Sequence, residues 1–465
     1  MISRTLAQVV VVTGAEPTGP LLDLDAVAVG AVVVDSRLVT PGALFVALPG
    51  EQVDGHDHAA AAVATGAVAV LGLRPVPGVP VLVVPDALVA LQALAREVFA
   101  ADQPLTIGIT GSSGKTSTKD LLAHVLAEVG PTLAPTGSLN NELGLPLTCL
   151  RRTEGQTYAV LEYSARGRGH IAFLCGIARP DVAVVLNVGS AHLGEFGTVA
   201  DIAVAKSELV QAARHLVVLN ADDPAVLAMA AATSARVVTF GESRTADFRA
   251  EDVVLDDDGR ASFRLVTPLG EVDVKLGLHG GHHISNALAV AATVLSLPAG
   301  AALSLERLTG LLGSARPVSR WRMEVTERPD GVTIVNDAYN ANPESMRSAL
   351  KTLAVMSRGK TRRTVAVLGV MAELGEGTRL AHMDLGRFVV RLDITQLVVV
   401  GPEAGGIHAG AVLEGSWGSE SVHVPDMAAA VELLRASLAP GDVVLIKGSR
   451  AAGLERVAAA VLEDP

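Results

Sequence analysis

Short runs of β-branched and aliphatic residues with no polar alternation recur along the chain. Each is followed by a stretch whose apolar residues fall at helical spacing. In residues 1–102 the expected strands include Ala31-Val32-Val33-Val34 and Val81-Leu82-Val83-Val84, and the expected helices Ala59–Thr65 and Ala87–Ala100. In residues 103–315 the expected strands are Leu105–Ile109, Tyr158–Leu161, Val182–Leu186 and Leu216–Leu219. The polar segment Asp247–Lys275 reads as antiparallel hairpins and Asn286–Leu295 as a helix. In residues 316–465 strands are expected at Val332–Val335, Thr364–Leu368, Gln396–Val400 and Asp442–Ile446. Uninterrupted apolar strands separated by helices suit parallel sheets covered on both faces. The expectation is an α/β protein of three domains, 1–102, 103–315 and 316–465. The last is a doubly wound, Rossmann-like unit, and all three put their strand ends around a shared cleft.

At 465 residues the chain has room for three cores. Its net charge of -12 argues against nucleic acid or an anionic membrane as a partner. The mean hydropathy of +0.42 reflects Ala, Val and Leu in short runs. None approaches the ~20 apolar residues that span a bilayer. Met1-Ile2-Ser3-Arg4 and the short run Val9–Val12 lack a signal-peptide profile, so a cytoplasmic protein is expected. Cys149 and Cys175 are the only cysteines, too few for a disulfide framework or a zinc cluster, and both read as small buried hydrophobes.

The chemistry starts at Thr110-Gly111-Ser112-Ser113-Gly114-Lys115-Thr116-Ser117, between an expected strand and the helical pattern Asp120–Leu126. A strand, a glycine-containing turn and a helix start carrying Lys-Thr make a phosphate cradle. Backbone N–H groups and the helix dipole face the anion, Lys115 neutralises charge, and Thr116 offers an oxygen to Mg²⁺. The usual first glycine would stand at Ile109; the glycines fall instead at Gly108 and Gly111. An ordinary strand-to-helix turn is the alternative.

Glu162 closes the next expected strand, where a carboxylate at the carboxyl edge of a parallel sheet would face the cradled phosphates and serve a hard cation. A solvated strand-end acid is the other reading. His192, in Asn187-Val188-Gly189-Ser190-Ala191-His192, lands at the same edge and is either functional or a hydrogen-bonded structural residue.

These pieces, with Ala205-Lys206-Ser207-Glu208, Asn220-Ala221-Asp222-Asp223, Gly281–Asn286 and Asn336-Asp337-Ala338-Tyr339-Asn340-Ala341-Asn342-Pro343-Glu344-Ser345-Met346, stand in the order found in the Mur ligases, which the chain resembles over nearly its whole length. Asp337–Met346 is most similar to the members that add D-alanyl-D-alanine to a UDP-N-acetylmuramoyl-tripeptide. Asp35-Ser36-Arg37, Phe45–Leu48, Gly50-Glu51 and Asp54-Gly55-His56 resemble their UDP-substrate domain, and Thr136–Pro146 resembles their substrate loop.

The resemblance implies an ATP-dependent amide ligase working through an acyl phosphate, with two Mg²⁺ ions. It implies Lys115, His192 and Lys206 as catalytic, and Thr116, Glu162 and His192 at the metals. Thr110 to Ser117, Asn286, Arg322, Asp337, Tyr339 and Asn340 are implied for ATP, and Ser36, Arg37, Asn140, Asn141 and Asn342 for substrate. Lys206, which by pattern alone reads as a helix-surface lysine, is implied to carry a carbamate. Ser319-Arg320-Trp321-Arg322 leaves open which arginine reaches the nucleotide. For Tyr339, Asn340 and Asn342 an Asn-rich turn after a strand is the alternative. Partners are the two small substrates, and a monomer is expected.

The sequence departs from the family pattern at Tyr163-Ser164-Ala165, usually Met-Gly-Ala, at His283, usually Asn, and at Val370, usually Asp. A different local backbone is expected where the glycine is missing. Two relatives compete. A ligase adding the third amino acid would need an Asp-Asn-Pro-Arg motif, absent here, and a folate polyglutamylating enzyme would lack the UDP-binding domain. A nucleotide-driven switch or scaffold is the reading from another class.

Overall fold

The computed structural model describes residues 1–20, 23–50, 53–101, 103–189, 193–297, 303–357, 362–416 and 418–463. His192 and Glu51 lie outside them. Three main sheets organise the chain. The nine-stranded central sheet runs in the order Thr132–Leu133, Tyr158–Glu162, Leu105–Thr110, Val182–Val185, Leu216–Asn220, Arg236–Gly241, Phe248–Leu255, Arg260–Thr267, Gly270–His279. It is parallel through Phe248–Leu255; Arg260–Thr267 then pairs antiparallel with both Phe248–Leu255 and Gly270–His279, the hairpins expected of the polar segment Asp247–Lys275. The strand order reverses around Leu105–Thr110, whose neighbours are Tyr158–Glu162 on one side and Val182–Val185 on the other. A crevice opens at the carboxyl ends of such strands.

The C-terminal sheet has six strands, Glu324–Glu327, Thr333–Asn336, Val443–Lys447, Thr364–Leu368, Gln396–Val400 and Ser421–Val424, all parallel except the first. The N-terminal unit carries a five-stranded sheet with Ala43–Val46 and Ala67–Gly72 at its centre. The Val9–Val12 run lies in a helix, Leu6–Thr13. Its β-branched residues disfavour that state, and a Thr5/Gln8 capping box and left-handed Gly14 at the end offset the cost. Among the described residues no helix is long and apolar enough to cross a membrane.

The N-terminal and central units share one buried cluster, from Leu6, Leu91 and Leu94 through Leu145 and Cys149 to Leu161, Tyr163 and Leu209. Arg152, fully buried, donates to Val98 O and Ala101 O and so holds the end of helix Ala87–Ala100. The C-terminal unit has its own two cores, one on each face of its sheet. It meets the central unit mainly through polar contacts: Ser319 N–H to Asp120 at 3.2 Å, Arg322 to Ser138 at 2.7 Å, and Asn342 to Ser112 O at 3.5 Å.

The Tyr163 departure is absorbed locally. Ser164 has no positive φ, so the missing glycine imposes no strain, and its N–H donates to Asn140 O. Tyr163 is buried over Gly108, with its hydroxyl on Ala178 O at 2.5 Å. A Cβ on Gly108 would stand 2.9 Å from the Tyr163 ring and 3.1 Å from Leu209. Gly108→Ala is therefore expected to destabilise the protein by about 1–3 kcal/mol through overpacking, read from the midpoint of denaturant unfolding.

Candidate active site

The phosphate loop is built by its strand and its neighbours. Ile109 is buried in the strand core, so the chain turns only after Thr110, at Gly111 and Gly114. Gly114 has φ +80°, and a Cβ there would come 2.9 Å from Asn286 Oδ1, so both its conformation and its surroundings demand glycine. Asn187 clamps the loop from the adjacent strand end: its carbonyl accepts from Ser112 N–H at 3.2 Å and its side chain from Ser113 N–H at 2.9 Å. Among the described residues no side chain caps helix Lys115–Ala127. Its first-turn N–H groups thus remain available at a positive helix end.

A cavity of about 490 Å³ opens over this loop. Ser112 to Ser117 line it from the central unit with Asn140, Asn141, Glu162 and Asn286, and Arg322, Asp337, Tyr339, Asn340 and Asn342 line it from the C-terminal unit. Thr110 and Gly111 are buried beneath the loop rather than on the cavity wall.

Lys115 reaches back to Gly111 O at 2.5 Å. Packed deep among protein atoms though open to the cavity, it is held below the ordinary lysine range by desolvation. The Glu162 charge opposes this shift and that of Arg322 adds to it. Thr116 Oγ1 lies 2.8 Å from Ser138 Oγ. The loop bearing Ser138 is fixed by fully buried Lys119, which donates to Pro135 O and Gly137 O and pairs with Asp120.

Glu162 is fully buried. Its Oε2 accepts from Asn140 Nδ2 at 3.1 Å, and its Oε1 has no protein partner among the described residues. Such an oxygen is costly to bury unless something else meets it. A buried carboxylate oxygen of this kind fits Mg²⁺, which takes one or two protein oxygens and completes its shell with phosphate and water.

Lys206 is not the surface lysine that its pattern suggests. It is buried in helix Val199–Ala212, outside the cavity lining, and among the described residues no carboxylate pairs with it. Desolvation, and then the charge of Lys115, push its ammonium well below the usual range.

The two candidate arginines separate: Arg320 is exposed, whereas Arg322 turns into the cavity. Arg322 lies 3.9 Å over the Tyr339 ring, and among the described residues its buried Nε has no hydrogen-bond partner. Asp337 accepts from Met323 N–H at 3.0 Å and from Lys447 at 2.7 Å.

The asparagines have local duties as well. Asn342 Oδ1 receives Ser345 N–H at the start of helix Pro343–Ser357, Asn340 Oδ1 receives Ala341 N–H, and Asn141 Oδ1 receives Leu143 and Gly144 N–H. For Asn340 and Asn342 the turn reading stands alongside a place on the cavity wall.

Ser36 and Arg37 do not join the cavity. They sit on the short turn Ser36–Leu38, with Arg37 paired to Asp35 and largely exposed. His283 is buried against His282, ring centroids 4.2 Å apart, and within 3.3 Å of Asn286; burial keeps both histidines below their ordinary range. Val370 offers its carbonyl to Ser449 N–H. Cys149 and Cys175 are buried, and burial pushes the Cys175 thiol up to about 12.

Lys447 and Ser138 escaped the sequence reading as individual residues. Lys447 had a visible signal, a charge at the carboxyl end of a buried parallel strand, the same logic that selects Glu162.

Comparison with known proteins agrees with this layout. The Mur ligase family catalytic domain matches residues 29–98, the Mur ligase middle domain 109–294, and the Mur ligase glutamate ligase domain 321–450. A UDP-N-acetylmuramoyl-tripeptide--D-alanyl-D-alanine ligase of Mycobacterium tuberculosis is 49% identical, covering 100% of this chain and 98% of its own. Among solved structures, MurF from Acinetobacter baumannii superposes with a TM-score of 0.85 at 32% identity, covering 99% of each chain. MurF ligase from Thermotoga maritima in complex with ADP gives 0.80 at 31% identity, covering 93% of this chain and 97% of that one. With homology of this depth across its full length, the chain belongs to the Mur ligase family.

Proposed function

We propose that this protein is the ATP-dependent ligase that joins D-alanyl-D-alanine to UDP-N-acetylmuramoyl-tripeptide, a monomer acting in the cytoplasm, with domains 1–102, 103–315 and 316–465 for UDP-substrate, ATP and ligation. The observation that carries the reading is the cavity in which Lys115 and Glu162 of one unit face Arg322 and Asp337 of another. Its full-length relatives bear the same activity in their names.

A carboxylate is a poor acyl donor, so the tripeptide's terminal carboxylate takes the γ-phosphoryl of ATP, breaking its bond to ADP, which leaves, and giving an acyl phosphate. The dipeptide amine attacks the acyl phosphate, and the tetrahedral adduct collapses to amide with phosphate leaving. Lys115, the first-turn N–H groups and Arg322 neutralise the transferring phosphoryl group. Asp337 and Asn286 hold the nucleoside, and Asn140 and Asn141 flank the tripeptide. The enclosing C-terminal unit keeps water from the acyl phosphate. Thr116 and Glu162 would hold one Mg²⁺, with His192 and a carbamylated Lys206 toward a second; bound there, the metal supplies charge stabilisation to phosphoryl oxygens. Ser36 and Arg37, outside the cavity, would meet the distant UDP end of the substrate.

Phosphate release is expected only when ATP, UDP-muramoyl-tripeptide and D-alanyl-D-alanine are all present, with product mass showing the added dipeptide. Rapid hydrolysis with neither acceptor, or turnover with a single amino acid or a folate instead, would remove the assignment. Lys115→Ala should lower this rate about 10²–10³-fold.

The buried Lys206 amine makes two further expectations. Lys206→Ala should lose most activity and regain part of it with added short-chain carboxylic acids, and a ¹³C-bicarbonate carbamate resonance present in the wild type should vanish. In CO₂-depleted buffer the unfolded chain holds a proton on this lysine that the folded chain lacks, from the depressed folded value up to about pH 10.4. Stability should therefore rise with pH across that window in the wild type, and Lys206→Met should remove the rise, as followed by denaturant titration at several pH values.

A further inference from the structure

Lys447 closes strand Val443–Lys447, is only 3% exposed, and lines the cavity beside Asp337. A buried lysine at the mouth of a nucleotide site invites reading as one more phosphate ligand. Its hydrogen bonds say otherwise. An ammonium group has three donors and no acceptor, and here all three are engaged: Asp337 Oδ2 at 2.7 Å, Asn340 O at 2.8 Å and Asp337 O at 3.3 Å. To reach a phosphate it would have to abandon one of them inside a desolvated site.

The same three bonds grip both ends of the turn from Asp337 to Asn340. That turn leaves strand Thr333–Asn336, which is paired in parallel register with the strand that ends in Lys447. Asp337 Oδ1 is held separately by Met323 N–H at 3.0 Å. With one donor on each oxygen, the carboxylate is fixed in orientation, and each oxygen can accept a second hydrogen bond. Tyr339, inside the gripped turn, is the ring on which Arg322 rests.

We infer that Lys447 is a positioning residue, which acts through Asp337 and the 337–340 turn to preset the C-terminal unit's nucleotide contacts and does not itself bind phosphate. This rests on the reading of the cavity as an ATP site. The test is a double-mutant cycle on the full-length enzyme, with ATP affinity and AMP affinity measured by calorimetry for the wild type, K447M, D337N and K447M/D337N.

The wild type must bind ATP; if it does not, the nucleotide reading itself fails. Given that, K447M should weaken ATP and AMP to similar extents, about tenfold or more, and D337N/K447M should be no weaker than the poorer single variant within about twofold. Losses that multiply in the double variant, a K447M protein within twofold of wild type, or a loss for ATP without one for AMP would each overturn the proposal; the last would make Lys447 a direct phosphate ligand. Should K447M fail to unfold cooperatively, K447R replaces it in the same cycle. It keeps the charge but its planar fork cannot serve three converging oxygens, so it too should lose affinity only where Asp337 is present.

Discussion

Two desolvated lysines, Lys115 and Lys206, stand within each other's electrostatic reach, and Glu162 is the carboxylate that offsets the first of them. Like charges in such a place are tolerable only if one gives up its proton or an anion arrives. Both outcomes suit the chemistry of a phosphoryl-transfer site. The uncapped helix end adds more positive potential at the same point. Around it the loops are tied in place by close contacts: Asn187 clamps the phosphate loop, Asn286 backs Gly114, and Lys119 secures the loop that carries Ser138. The positive potential at this point is thus set by groups that the fold itself brings together.

The other half of the site is delivered on a different kind of joint. A continuous apolar core seats the N-terminal unit on the central one, whereas the C-terminal unit contributes Arg322 and Asp337 across a seam of polar contacts. Each such hydrogen bond is worth about 0.5–1.5 kcal/mol net, and among the described residues the buried clusters of the C-terminal unit are separate from those of the central one. The arginine and the aspartate are oriented by contacts within their own unit, Tyr339 beneath the one and Lys447 on the other.

Departures from the family pattern are compensated nearby. Tyr163 takes the space that Gly108 leaves, and His283 fills a buried place against His282 while staying within reach of Asn286. In each case the substitution changes packing and leaves the cavity wall in place.

Periodicity alone carried the fold class, because buried parallel strands must be apolar on both faces and the helices between them must repeat at helical spacing. Strand and helix positions such as Gln396–Val400 and Ala87–Ala100 emerged with their residues unchanged. The phosphate loop was legible because glycine and lysine there answer to local geometry, although the loop's offset at Ile109 needed the strand core to explain it. Long-range decisions lay beyond the sequence: that Lys206 is buried, that Arg322 rather than Arg320 faces the nucleotide cavity, that Glu162 keeps one oxygen unmet, and that Lys447 meets Asp337 across 110 positions of chain. Burial and pairing of these groups depend on which surfaces come together in three dimensions, and no pattern along one strand or helix contains that information.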